Sequence, residues 1–424
     1  MIDELIKLVR GGFKSIKDHR GYNSTYSLED LLSAGFAIFS LKDPSLLAFR
    51  EQYPMRSENL KRIYGIEQIP ADTALREGLD GIDPTHLQAQ FKPLLDRLRQ
   101  EDMVAQRQVL GGYTLLAGDG TQHFCSGSRS CSHCLTKRHR KGSTTYHHQL
   151  LAAVWVQPGE KTVFPVAVEP IVRQDGTKKN DCELNAAKRL IPKIRQAMPQ
   201  EQLLLALDAL YANGPLIRSL KEEHISFLIG IKEGYVLIQT ERLAAEGQLK
   251  ELSWEADGRI CAIRFSNDLI LNGQNQDICV NYLEYLEADA QSAEIIFFNS
   301  WITDLPITEE NAREMVTVAR TRWKIENETF NTLKNQGYHL EHNYGHGNQF
   351  LATNFAILTF LAFLTDQMAQ CLDSAFQKAL AVYQTKRAFW EKVRQVFDLL
   401  PALSMNAIYR FIAQNRQVDY PLLE

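Results

Sequence analysis

The sequence predicts an α/β (α+β) protein: a mixed sheet core with an inserted β subdomain, flanked by helical N- and C-terminal regions. Three observations carry this. Between about 113 and 231, apolar runs of strand length give way to helix-like segments in the order three strands, helix, strand, helix, strand. From 233 to about 293 that alternation is replaced by short β-prone pieces separated by polar turns. The chain before 109 and after 350 shows helical character instead.

Length and composition set bounds. A chain of 424 residues holds two or three domains with ample core. With 45% hydrophobic and 23% charged residues it reads as an ordinary globular protein. A net charge of −4 excludes a surface coated in basic residues, so contact with nucleic acid has to use local patches. Seven cysteines without regular spacing argue against a disulfide framework and fit a reducing, cytoplasmic location. The start, MIDELIKLVRGGF, carries acids where a signal peptide needs Lys or Arg before an apolar run. The longest apolar stretch, Phe350 to Leu364, is interrupted by Thr353, Asn354 and Thr359. It falls short of the roughly 20 residues of a membrane span and reads as a buried helix.

In chain order, residues 1–108 read as a helical region with breaks at Pro44, Pro54, Pro70 and Pro84. Ser27 and Asp30 resemble a capping box ahead of LLSAGFAIF, and Asp83-Pro84 is a helix start. Residues 109–232 form the first part of the core. YTLLAGDGTQHF is a buried strand with Asp119 at its exit, TTYHHQLLAAVWVQ a second and TVFPVAVEPIV a third. CELNAAKRLIPKIRQAM is a helix that Pro192 kinks or bounds. QLLLALDALYA is a strand ending in Asp208, PLIRSLKEE a short helix and ISFLIGI the next strand. Sequential strands suggest an antiparallel meander and helix-linked ones parallel additions, which together are the ribonuclease H-like layout.

Residues 233–293 read as the β-rich insertion, with YVLIQT, RICAIRF and DICVNYLEYL as its strands. Residues 294–365 return to the core through the strand AEIIFFNSWI and one amphipathic helix, 315–335. On that helix Trp323, Phe330 and Gly337 recur at sevens, interleaved with Ala319, Glu326 and Leu333. Residues 366–424 are a helical C-terminal region broken at Pro401.

Three acids stand out because each lies in an apolar context where a carboxylate is costly unless neutralised: Asp119, Asp208 and Glu326. Singly, each has an ordinary reading, a strand-end turn residue or, for Glu326, an ion pair with Arg322 one turn away. Together, at two strand ends and on one helix, they can converge. Hard divalent cations relieve the repulsion of convergent carboxylates, and two Mg²⁺ or Mn²⁺ ions about 4 Å apart can drive phosphoryl transfer.

GDGT at 118–121, LDALYANGP at 207–215 and RTRWKIENETFNTLKNQGYHLEHNYGHG at 320–347 resemble the DDE transposases of the insertion-sequence-four superfamily. The resemblance covers roughly residues 110 to 365. It implies a ribonuclease H-like core with a β insertion before the metal-binding Glu. It also implies Mg²⁺ (or Mn²⁺)-dependent cleavage at transposon ends, then strand transfer into target DNA by the freed 3′-OH. In the family signature Tyr-(2)-Arg-(3)-Glu-(6)-Lys, Arg322 and Glu326 match, Ala319 stands at the Tyr position and Leu333 at the Lys position, with Lys334 one residue late. Relatives with such an insertion commonly cut through a DNA hairpin, and Trp301 or Phe298 could stack a flipped base or serve as core.

Two further groups need weighing. Cys131 and Cys134 form a Cys-x-x-Cys with His133, His139, His147 and His148 nearby, and Cys182 opens a helix. Three thiolates and a His could hold a structural Zn²⁺, and the alternative is a hairpin tip with free thiols. Arg129, Lys137, Arg138, Arg140 and Lys141 are candidate phosphate contacts or a solvated loop, and Lys334 is a further candidate DNA contact.

The reading is a DDE-type transposase with Asp119, Asp208 and Glu326 as metal ligands and Arg322 beside them. Its partners would be double-stranded DNA at transposon ends and target, with the 1–108 region as a possible end-binding element, no membrane, and a dimer when DNA is bound. The alternatives are a transposon-end binding protein or repressor that does not cut, and a metal-dependent nuclease that does not transpose.

Overall fold

The computed structural model describes residues 1–21, 23–176 and 179–414; the final ten residues of the expected C-terminal helical region lie outside these. The chain forms two compact units. The first comprises 1–100, 121–150 and 327–424, and the second 101–120 and 151–326.

Eleven strands pair into one mixed sheet: β1 Gln108–Val109, β2 Tyr113–Ser126, β3 Leu135–Arg138, β4 Thr144–Trp155, β5 Phe164–Ile171, β6 Leu203–Leu207, β7 Ile225–Gly230, β8 Lys250–Ala256, β9 Arg259–Asn272, β10 Asn275–Asp289 and β11 Ile295–Thr303. Strand order is β4-β2-β6-β7-β11-β10-β9-β8, with β5 and β3 on β4 and β1 on β2. Counting β2, β4, β5, β6 and β7 as one to five gives 3-2-1-4-5, with one, four and five parallel. This is the mixed α/β, ribonuclease H-like order that the sequence predicts. The helix-linked strands β6 and β7 are the parallel additions; all five residues of β6 are buried, as a central strand covered on both faces requires.

In the second unit the helix Lys179–Ala197 precedes β6 and Gly214–Glu222 links β6 to β7. Asn213 caps the latter by accepting from Leu216 N at 3.1 Å. Pro192 lies inside the longer helix and does not bound it. The insertion departs from expectation at its start. YVLIQT is the first half of a helix, Tyr235–Ala245, and not a strand. Gly234, at φ 120°, turns the chain into it, and Val236 and Thr240 bury one face at i,i+4. Strands β8, β9 and β10 then form the antiparallel meander that reaches β11.

The first unit is mainly helical. Its centre is the helix Leu351–Leu372, longer than the apolar run that announces it and buried from Leu351 through Ala369. By length and composition this helix could cross a membrane, but its side chains are spent on the unit's own core. Leu358, Leu361 and Leu364 are fully buried, each contributing about 1.5–3 kcal/mol relative to exposure. Helix Leu28–Ser40 packs on it closely: a Cβ at Gly35 would lie 3.0 Å from Leu358 Cδ1. Ser27 caps that helix by accepting from Asp30 N.

Candidate active site

The register between β2 and β6 decides where two of the acids stand. Leu115 pairs with Leu204, Leu116 with Leu205 and Ala117 with Ala206. Continuing by two residues brings Asp119 level with Asp208, on neighbouring strands about 4.8 Å apart and on one sheet face. Asp208 directly follows β6, as expected. Asp119 does not sit at a strand exit: β2 runs on through it to Ser126. Beyond Asp208 the chain turns at once into the short helix Ala209–Tyr211, with the Asp208 carboxylate accepting from Leu210 N at 2.9 Å. Gly230 on β7 makes room for this turn, since a Cβ there would lie 3.4 Å from Ala209 N.

Glu326 comes from a segment that is not one regular helix. Ala312–Arg320 is α-helical, Thr321–Trp323 a 3₁₀ turn, Ile325–Phe330 a π-helical turn and Asn331–Asn335 α-helical again. Thr321 Oγ1 donates back to Thr317 O at 2.8 Å, a contact that bends helices. Tightening followed by widening shifts the side-chain register, and π-helical turns are frequent at functional sites. Trp323 therefore leaves the apolar stripe that sequence spacing predicts: it is 50% exposed, whereas Ala319, Phe330 and Leu333 are buried.

Arg322 joins the acids. Its Nη1 donates to Asp119 at 3.0 Å and its Nη2 to Glu326 at 3.3 Å. Partial burial, and then the facing Asp119 carboxylate, push the Glu326 carboxyl above its ordinary range; Arg322 offsets only part of this. Asp208, Arg322, Glu326, Trp323, Trp301 and Lys232 line an open cavity of about 390 Å³. Trp301 is buried and Phe298 exposed, both on β11.

Glu183 is a fourth carboxylate that sequence reading did not single out. It is buried on the helix Lys179–Ala197, and its Oε1 accepts from Tyr211 Oη at 2.8 Å. A Cβ at Gly120, the residue after Asp119, would lie 3.2 Å from the same oxygen. Nothing local in NDCELNAAK marks it; only its closeness to Gly120 and Tyr211 in the fold does.

The remaining candidates fall elsewhere. Cys131 and Cys134 converge with His148 and His346 in the first unit, a group able to hold a metal ion. Cys182 is not part of that group; it is buried in the second unit with its thiol 3.5 Å from Gly176 O. Arg129, Lys137, Arg138, Arg140 and Lys141 are all exposed on or beside the β3–β4 hairpin. Lys334 is engaged by Glu341 at 2.9 Å.

Comparison with known families bears on this geometry. The family described as Transposase DDE domain matches residues 132–364, more than half of the chain. The chain belongs to that transposase family. The match takes in Asp208, Arg322 and Glu326 and begins after Asp119. Membership in the insertion-sequence-four superfamily is consistent with it. No curated protein matches the chain. As a family this transposase domain acts on DNA, typically with a divalent metal.

Proposed function

We propose that this transposase cleaves DNA at transposon ends and transfers the freed 3′ end into target DNA, with Asp119, Asp208 and Glu326 as ligands of two Mg²⁺ or Mn²⁺ ions. The observation that carries the reading is the register Ala117↔Ala206, which puts two aspartates side by side, together with Arg322 spanning Asp119 and Glu326. The donor set fits the group. It consists of carboxylate oxygens, the ligands hard divalent cations take. The Glu326 carboxyl, raised first by partial burial and then by the facing Asp119, is only partly offset by the single guanidinium of Arg322. When bound, such ions lower the pKa of a nucleophilic hydroxyl or water and stabilise the leaving oxygen.

The chain's own residues supply the rest. Asp119 and Asp208 are fixed by adjacent strands, so their spacing is set before DNA arrives. Arg322 holds Glu326 towards Asp119 and is placed to meet a phosphate once the acids are neutralised. Trp323, exposed beside Arg322 with the guanidinium 5.0 Å from its ring, offers a face on which a base can stack. Phe298 offers a second exposed ring, and Trp301, being buried, is a wall of the cavity. The exposed cations of the β3–β4 hairpin are the proposed phosphate contacts, the 1–108 region a proposed end-binding element, and a dimer the proposed DNA-bound form.

The test is a supercoiled donor plasmid carrying the inverted repeats that flank the coding sequence, incubated with the protein and Mg²⁺. Excision with integration supports the proposal. Binding without cutting would instead make the protein an end-binding repressor, and cutting without joining a nuclease.

A further inference from the structure

Four side chains from three stretches of the first unit meet at one point. Cys131 and Cys134 come from the turn before β3, His148 from β4, and His346 from the loop that precedes the helix Leu351–Leu372. Their ligand atoms all lie within 4.8 Å of one another. The two sulfurs are 3.7 Å apart. His148 Nε2 lies 3.5 Å from Cys131 Sγ and 3.4 Å from Cys134 Sγ, and His346 Nε2 lies 3.3 Å from Cys134 Sγ. The two imidazole nitrogens are 3.2 Å apart.

These separations are five of the six edges of a tetrahedron, the sixth, between Cys131 Sγ and His346 Nε2, lying within 4.8 Å. With metal–sulfur bonds of about 2.3 Å and metal–nitrogen bonds of about 2.0–2.1 Å, tetrahedral geometry sets edges of about 3.8 Å between sulfurs, about 3.5 Å between sulfur and nitrogen, and about 3.3 Å between nitrogens. All five edges above agree to within a few tenths of an ångström. The protonation pattern agrees as well. His346 Nδ1 lies 2.8 Å from Gly347 O, and since a carbonyl can only accept, Nδ1 carries the proton and Nε2 turns its lone pair to the other three. Burial is graded as a closed structural site needs: Cys134 and His148 are buried, Cys131 and His346 half-buried.

We propose that Cys131, Cys134, His148 and His346 form a structural Zn²⁺ site that fastens the β3–β4 hairpin to the loop carrying His346. Two thiolates and two imidazoles in tetrahedral array select zinc among common divalent ions. Both thiols enter as thiolates, so loading releases their protons. Four protein ligands complete the shell and leave no open position, so the ion takes no part in DNA chemistry. Its role is to hold the segment bearing Lys137, Arg138, Arg140 and Lys141 in one geometry. The site shares no residue with the carboxylates of the proposed function and holds whether or not that function does.

Metal analysis of the full chain, purified without chelator, tests it. About one zinc per chain is expected, lost in Cys134→Ser and His346→Ala and kept in Cys182→Ser. A folded chain with no zinc, or with another metal in its place, overturns the proposal, as does zinc lost only with Cys182→Ser. If the ligand variants do not fold, Co²⁺ added to the metal-depleted unmutated chain gives the decisive reading. The visible bands of tetrahedral, thiolate-ligated cobalt support the site, and their absence overturns it.

Discussion

Arg322 and Asp119 lie 203 positions apart in sequence and 3.0 Å apart in space. The same guanidinium reaches Glu326, so one side chain orders two carboxylates that would otherwise repel. A helix i,i+4 pair between Arg322 and Glu326 would exist in any sequence of this pattern. The contact with Asp119 is what ties Arg322 to the proposed site.

Replacing Arg322 with Lys keeps the charge and loses the fork that bridges both acids. Loss of an interaction that orients a metal ligand costs roughly 10- to 100-fold in metal affinity or activity. A drop of that size in Mg²⁺-dependent cleavage is expected for Arg322→Lys, with the thermal midpoint little changed. Full cleavage by Arg322→Ala would remove Arg322 from the account.

Trp323 separates stability from DNA contact. Half-exposed, it should change folding stability by no more than about 0.5 kcal/mol when replaced by Ala. If a base stacks on it, Trp323→Ala should weaken binding of end DNA by about 1–3 kcal/mol, read as the dissociation constant of a labelled duplex. Unchanged affinity with unchanged cleavage would show the ring to be a bystander.

A prediction about the scaffold comes from Lys42. Fully buried, its ammonium pairs with the Asp366 carboxylate and lies 3.4 Å from the centre of the Trp390 ring. Lys42→Met leaves Asp366 buried without its cation and should cost about 3–5 kcal/mol, whereas Lys42→Met with Asp366→Leu should recover much of that. Denaturant melts of both variants decide, and equal costs would contradict the pairing. Burial also pulls the Lys42 pKa from 10.5 down to about 8, against the pull of Asp366. Between those values the unfolded chain binds more protons at this residue than the folded one. Its contribution to stability therefore rises with pH across about 8 to 10.5, and Lys42→Met should remove that rise.

Much of this was legible in the sequence because the signals are local. Apolar runs leading to Asp119 and Asp208 announce buried strands, although β2 continues past Asp119 to Ser126, and the strand-helix order yields which strands add in parallel. Besides Glu183, three features were not legible, for distinct reasons. Trp323 counts as apolar stripe under a uniform helical period, and the succession of 3₁₀ and π turns breaks that period. YVLIQT has strand composition but borrows its helix from the residues after it. His346 lies 198 positions from His148, so no spacing rule connects them, and the sequence offers Cys182, at the start of the next helix, as a third thiolate instead.

Asp119, Asp208 and Glu326 are proposed to act on DNA through bound metal. The most direct measurement compares the unmutated protein with Asp119→Asn on a donor plasmid with cognate ends in Mg²⁺. The substitution removes metal-binding charge with little change of shape. Excision and strand transfer are expected to vanish while end binding by gel shift stays largely intact; undiminished excision by Asp119→Asn would contradict the account.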